Sequence, residues 1–281
     1  MKSLIKSILY HIKSICELLI IFIKQICREN FKNYNKEEHI ELPVYILGNG
    51  PSLLEFEYKT SVENICVVNY CGLSDIFYSI KPKYYVLADP HFFVRPFLDD
   101  KTKELFDKFK SIDWEINLYI PYYSYKITKK ELITNRNIKI IPYHTNEISE
   151  CNVFKNIRNK IINKGLVMPK MQNVMVPSII NMINKGFKLI FLYGVEHSWT
   201  QNIIVNDDNI VCLRDSHYYN NNENYEPWLK NNGEYYKMHE VLRDLANMFS
   251  AYHTINEYAD YKNATIINKT KQSYIDAFKK Q

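Results

Sequence analysis

Glycine is scarce in this chain, 7 residues among 281. The scarcity makes any local cluster informative, and it removes two familiar nucleotide motifs. The dinucleotide fingerprint needs a third glycine where Leu53 stands, and the phosphate loop needs a Gly-Lys-Ser/Thr tripeptide that does not follow Gly50. The six cysteines (Cys16, Cys27, Cys66, Cys71, Cys151, Cys212) form no Cys-x-x-Cys pair. They read as buried thiols in a reducing compartment rather than as a metal site. No small-residue cleavage site follows the first apolar stretch, so the expectation is a chain without a cleavable signal peptide, placed in the cytoplasm. A net charge of +5 falls short of the dense basic stripe of a nucleic-acid binder, but it suits an anionic substrate or a membrane surface.

Long hydrophobic runs are also missing. Near the centre of residues 2–28 the longest uncharged segment is Leu18 to Ile23, far short of the about 20 residues that cross a bilayer. The same residues contain no proline or glycine. On an ideal helix Lys2, Lys6, Lys13, Lys24 and Arg28 share an arc of roughly 80°. Leu4, Ile5, Ile8, Ile12, Ile15, Leu19, Phe22, Ile23 and Ile26 gather opposite. The expectation is a basic amphipathic helix over residues 1–34 that lies on an anionic membrane surface or packs on a partner. A polar linker follows over 35–42, leading into a body over 43–281.

The most informative segment opens that body. Val44 to Leu47 reads as a buried strand and ends in Gly48-Asn49-Gly50-Pro51-Ser52. Two glycines permit a tight turn and close backbone approach to a ligand, and Pro51 is pre-set for a first helical turn. The following N–H groups, with Asn49 and Ser52, are expected to face an anion such as phosphate. Further strands are expected at Ile65–Asn69, Tyr84–Ala88, Ile116–Ile120, Ile138–Ile141, Leu189–Tyr193 and Thr265–Asn268. Helices are expected at Leu73–Ser79, Lys103–Lys110, Val174–Lys185 and His239–Ala251, with Gly186 as a stop. The alternation predicts an α/β fold, a single Rossmann-like domain with a mostly parallel sheet, preceded by the N-terminal amphipathic helix. In such a sheet the strand ends at Gly48, Asn69, Asp89 and Gly194-Val195-Glu196-His197 share one edge, the usual ligand crevice.

The segment from Gly48 to Leu53 resembles the opening turn of the sialyltransferases of glycosyltransferase family 42, which hold CMP with its Asn and Ser. Asn69, Asp89-Pro90 before Phe92-Phe93, Gly186-Phe187-Lys188 and Gly194-Val195-Glu196 echo later elements of that family, and its Thr-Ser before the central helix falls near Asn173-Val174. The resemblance implies transfer of a sugar from a nucleotide donor, CMP-sialic acid in that family, to a surface-polysaccharide or lipid-linked glycan. The turn also resembles a broader set related to the domain-of-unknown-function 115 group, which includes a pterin diphosphokinase. A diphosphokinase-type phosphotransferase and a non-catalytic membrane scaffold therefore remain alternatives.

Glycosyl transfer needs a base, stabilisation of the departing phosphate and alignment of the reactants. His217 and His197 are the leading bases, with His239 third. Arg214, Tyr218 and Tyr219 are expected to donate to the leaving phosphate in place of a metal. A divalent cation, for which Asp207-Asp208 or Asp89 would serve, stays open. Trp199, Trp228 and the Asn-rich loop between them, within a lid-like segment over about 198–235, are expected to form a lid or a sugar platform.

Overall fold

The computed structural model describes residues 2–26, 37–58, 62–93, 99–149, 154–214, 216–217, 220–221, 224–230 and 232–281. In chain order its elements begin with α1 (Lys2–Ile26), β1 (Val44–Leu47), β2 (Ile65–Val68), α2 (Asp75–Ile80) and β3 (Tyr84–Val86). Then come α3 (Asp100–Lys110), β4 (Ile116–Pro121), α4 (Tyr125–Ile127), β5 (Ile138–Tyr143), β6 (Glu147–Ile148), α5 (Lys155–Asn163) and β7 (Met168–Pro169). The chain continues with α6 (Met175–Lys185), β8 (Leu189–Tyr193), β9 (Ile203–Val205), β10 (Val211–Leu213), β11 (Ser216–His217), β12 (Asn220–Asn221) and β13 (Glu226–Pro227). It closes with α7 (Met238–Tyr261), β14 (Thr265–Asn268) and β15 (Lys279–Lys280).

Eight strands form one parallel sheet in the order β15-β14-β8-β1-β2-β3-β4-β5. Alternate residues of β1 face two cores. Val44 and Ile46 join a cluster with Ile179 and Ile183 of α6 and Tyr252 and Ile255 of α7. Leu47 joins a second cluster with Phe77 of α2 and Leu105 and Phe109 of α3. Burial on both faces explains why the strands read as continuous apolar runs. α6 is buried along its whole length. It ends at Gly186, whose φ of 118° and close approach to the Glu38 carbonyl leave no space for a Cβ.

All seven expected strands and four expected helices occur, most of them with shifted bounds. α7 runs on to Tyr261 because Thr254, Ile255, Tyr258 and Ala259 continue its buried stripe. α5, β15 and the small antiparallel sheet β13-β10-β9 are additional. Residues 37–40 of the expected linker bond to the body: Glu38 N–H donates to Lys185 O over 2.8 Å, Lys262 meets Glu37 at 2.8 Å and Ile40 bridges Phe187.

Strand order fixes the site. From β1 the chain proceeds outward through β2 to β5, then returns to place β8 on the other side of β1. The carboxyl ends of β1 and β8 therefore diverge at a topological switch point, where open α/β sheets bind ligands. Their registers align these ends, since Leu47 pairs with both Val67 and Tyr193.

Candidate functional site

A cleft of about 1310 Å³ opens along that edge. It is lined by Gly48, Asn49, Gly50 and Ser52 after β1, Asn69 after β2 and Asp89 after β3. Asn173 before α6 and Gly194, Glu196 and His197 after β8 complete the set. The tertiary structure thus collects ten of the residues that the sequence marks for a ligand.

The turn after β1 differs from the expectation. Pro51–Glu55 is a 3₁₀ helix rather than the start of an α-helix. Its backbone donors are already engaged. Gly50 N–H donates to Gly194 O over 2.9 Å, and Ser52 N–H donates to Glu196 Oε1 over 2.6 Å. The anion facing the Ser52 N–H is thus the protein's own carboxylate, while the Gly50 N–H meets a backbone carbonyl. A Cβ at residue 48 would land on the Gly194 carbonyl, and one at residue 50 would land on the Glu196 carboxylate. Both glycines serve the contact between the two strand ends.

Five cleft residues keep a buried polar side-chain atom without a hydrogen-bond partner: Asn49 Oδ1, Ser52 Oγ, Asn69 Oδ1, Asn173 Nδ2 and Glu196 Oε2. In folded proteins most buried polar atoms are paired, because desolvation without a partner costs about 1–3 kcal/mol each. Backbone strain gathers here too. Asn69 (φ 47°), His197 (φ 51°) and Gln272 (φ 54°) take left-handed conformations at the cleft, a pattern that ligand sites favour. Asn69 is held by Tyr85, whose hydroxyl donates to Asn69 O and accepts from Gly72 N–H over 3.0 Å.

Asn173 and His197 share one phenol. Asn173 Oδ1 accepts from Met175 N–H (2.8 Å) and from the Tyr252 hydroxyl (3.1 Å). Having given its proton there, Tyr252 accepts from His197 Nε2–H at 2.8 Å. This leaves the imidazole lone pair on Nδ1. The ring is buried and packs on Trp199 at 4.6 Å between centroids. Burial pulls its pKa down to about 3, so it is neutral at physiological pH and a weak base.

Asp89 stands at the cleft with His91 beside it, a residue that the sequence pattern did not single out. Its carboxylate lies 2.9 Å from His91 Nδ1 and also accepts His91 N–H, and these bonds hold its pKa below the ordinary carboxylate value. His91 Nε2 meets the Tyr70 hydroxyl at 2.9 Å, so both ring nitrogens are occupied. The Asp-Pro-His spacing was the available signal. Thr145, Tyr123 and Tyr274 also line the cleft without prior notice.

Other expected residues fall elsewhere. Arg214 does not line the cleft. Its Nη2 donates to Asn202 Oδ1 at 3.1 Å, and Asn202 is a lining residue. His239 is exposed in the first turn of α7, and Asp207 and Asp208 lie in an exposed turn. His217 and Asn220 pair through the backbone of β11 and β12, but the His217 side chain and Tyr218 and Tyr219 lie outside the described residues. Trp199 lines the cleft, whereas Trp228 packs against Tyr236 and the core. Among the described cleft residues the one cation is Lys271, and it pairs with Glu55 at 2.9 Å. Beside its apolar and aromatic side chains, the lining therefore offers amides, hydroxyls and carboxylates, suited to hydroxyl and amine donors. Among the described residues no group of three or more His, Cys, Asp or Glu could hold a metal ion.

The chain is similar to a sialyltransferase of known structure. That protein is CstII from Campylobacter jejuni, solved in complex with a substrate analogue, cytidine-5'-monophosphate. The identity is 13% and the TM-score 0.42, over 86% of this chain and 85% of that one. No family model matches the chain, and no curated protein matches it.

Proposed function

We propose that the chain is a glycosyltransferase that moves a sugar from a nucleotide donor to the hydroxyl of a glycan or lipid-linked acceptor. One observation carries this reading: five unpaired polar atoms surround a crevice at the switch point of a parallel sheet. Three of them, on Asn49, Asn69 and Glu196, are acceptor oxygens matched to the hydroxyl and amino groups of a nucleoside. The resemblance of Gly48 to Leu53 to family 42 makes CMP-sialic acid the first donor to try. Cys66, Cys71 and Cys212 are buried, reduced thiols, whereas Cys16 is exposed, contrary to the expectation of burial. Reduced thiols favour a reducing compartment such as the cytoplasm for the reaction.

In this reading the acceptor oxygen bonds to the anomeric carbon as the bond from that carbon to the phosphate oxygen breaks. The nucleotide departs with the electron pair, and the hydroxyl proton passes to a base. His197 is only weakly basic and His91 has both nitrogens engaged, which favours His217 as that base. His197 then serves as the neutral wall that fixes Tyr252 and Asn173. Arg214, released from Asn202, and the Tyr218 and Tyr219 hydroxyls would meet the charge on the leaving phosphate without a metal ion.

Thermal-shift titration with CMP, UDP, GDP and ATP tests the first step, since a ligand of the native state raises its melting temperature. CMP or another sugar-carrying nucleotide should stabilise the chain, and its sugar conjugate should be hydrolysed or transferred. His217→Gln should keep the shift and lose turnover. Tight binding of ATP with Mg²⁺ alone would instead favour a phosphotransferase, and binding of none would remove the enzyme reading.

A further inference from the structure

α1 turns the wrong face to the protein. A helix of a globular domain normally buries its apolar stripe. Here the contacts with the body run along Ser14, Leu18 and Ile21, with the Glu17 carboxylate accepting Ser149 N–H over 2.6 Å. Ile5, Ile8, Ile12, Ile15, Leu19 and Ile23 are each about half exposed, from 47% to 57%. The apolar stripe therefore looks outward, and it continues sideways. A groove of about 420 Å³ joins Leu19 and Phe22 of α1 to Phe154 and to Ile157 and Ile161 of α5.

We propose that this face, α1 together with the Ile157–Ile161 edge of α5, docks on an anionic lipid surface. The charges select the occupant. α1 contains four lysines (2, 6, 13 and 24) and one acid, Glu17, which points into the body against Ser149. Lys160 and Lys164 are exposed on α5 and at its C-terminal end, beside its apolar edge. A second copy seated on this groove would bring the lysines that border it, Lys160 and Lys164, against their like, whereas acidic headgroups neutralise them. The helix does not pass through the bilayer: no described helix is long and apolar enough to cross one. It lies in the headgroup layer with its isoleucines among the upper acyl carbons. The docking is independent of what the cleft binds, so either reading survives failure of the other.

The test uses the full chain and sucrose-loaded vesicles of phosphatidylcholine alone or mixed with phosphatidylglycerol. Co-sedimentation should favour the anionic vesicles and weaken with salt. The exposed substitutions Ile12→Glu and Leu19→Glu should each lower partitioning roughly tenfold or more, leaving the melting temperature and any nucleotide shift unchanged. Lys13→Glu should weaken binding to anionic vesicles only. Absence of binding to anionic vesicles at low salt overturns the proposal. So does binding indifferent to these substitutions, or a dimer in sedimentation velocity that Leu19→Glu dissolves.

Discussion

Ser52 and Glu196, 144 positions apart in sequence, are joined by a 2.6 Å hydrogen bond from the Ser52 N–H to the Glu196 carboxylate. The bond ties the ends of β1 and β8 across the switch point. It also puts an acidic side chain where the turn's sequence predicts a bound phosphate. In the proposed reading, the phosphate of a bound nucleotide therefore finds its partners away from this turn.

The two glycines of the turn should differ in their tolerance of a methyl group. At residue 48 the new Cβ meets a backbone carbonyl and Val195 Cγ1 at 2.8 Å, so the strands must part. At residue 50 it meets chiefly the movable end of Glu196, with Gly194 O at 2.8 Å. Gly48→Ala is expected to cost about 3 kcal/mol and Gly50→Ala about 1–2 kcal/mol. Urea unfolding should give that order.

Glu196→Gln keeps an acceptor for Ser52 N–H but removes the charge from the unpaired oxygen. Stability should change by less than about 1 kcal/mol, while affinity for a hydroxyl-rich nucleotide falls about tenfold. Calorimetric titration with CMP measures it. Unchanged affinity would show that Glu196 is structural only.

Asn69 separates strain from recognition. At φ 47° glycine is more comfortable than alanine. Asn69→Gly should therefore be about 1 kcal/mol more stable than Asn69→Ala. Both lose the unpaired Oδ1, and both should lose ligand affinity alike.

His197 predicts an acid-sensitive fold. Its pKa is near 3 in the folded state and 6.5 as the ordinary value. Between those limits the unfolded chain binds more protons, so stability is full above pH 6.5 and falls as the pH drops through the window. The slope approaches about 1.4 kcal/mol per pH unit for one group. Melting curves between neutral pH and pH 4 should show the decline, and His197→Gln should flatten it.

Much of this was legible in the sequence. β8 and β14 have the bounds expected of them, and the strand-end residues Asn49, Asn69, Asp89 and Glu196 do meet at one cleft. Others were not legible. Arg214 stands one residue back from the cleft because the Asn202 amide oxygen captures its guanidinium. Tyr252 sits within a helix stripe that looks like ordinary core, and only its hydroxyl bonds to Asn173 and His197 give it a place at the site.

Local signals of apolar period, glycine freedom and proline geometry were enough to mark seven strands of the main sheet and four of its helices, though not α5, β15 or the 3₁₀ form of the turn after β1. The sequence by itself also determined that α1 has an oily side and a basic side. Tertiary structure alone decided that β8 lies beside β1, that Glu196 fills the turn made by Gly50, and that the oily side of α1 faces outward. Those outcomes depend on which buried surfaces pack together across more than a hundred residues, and no local spacing encodes that choice.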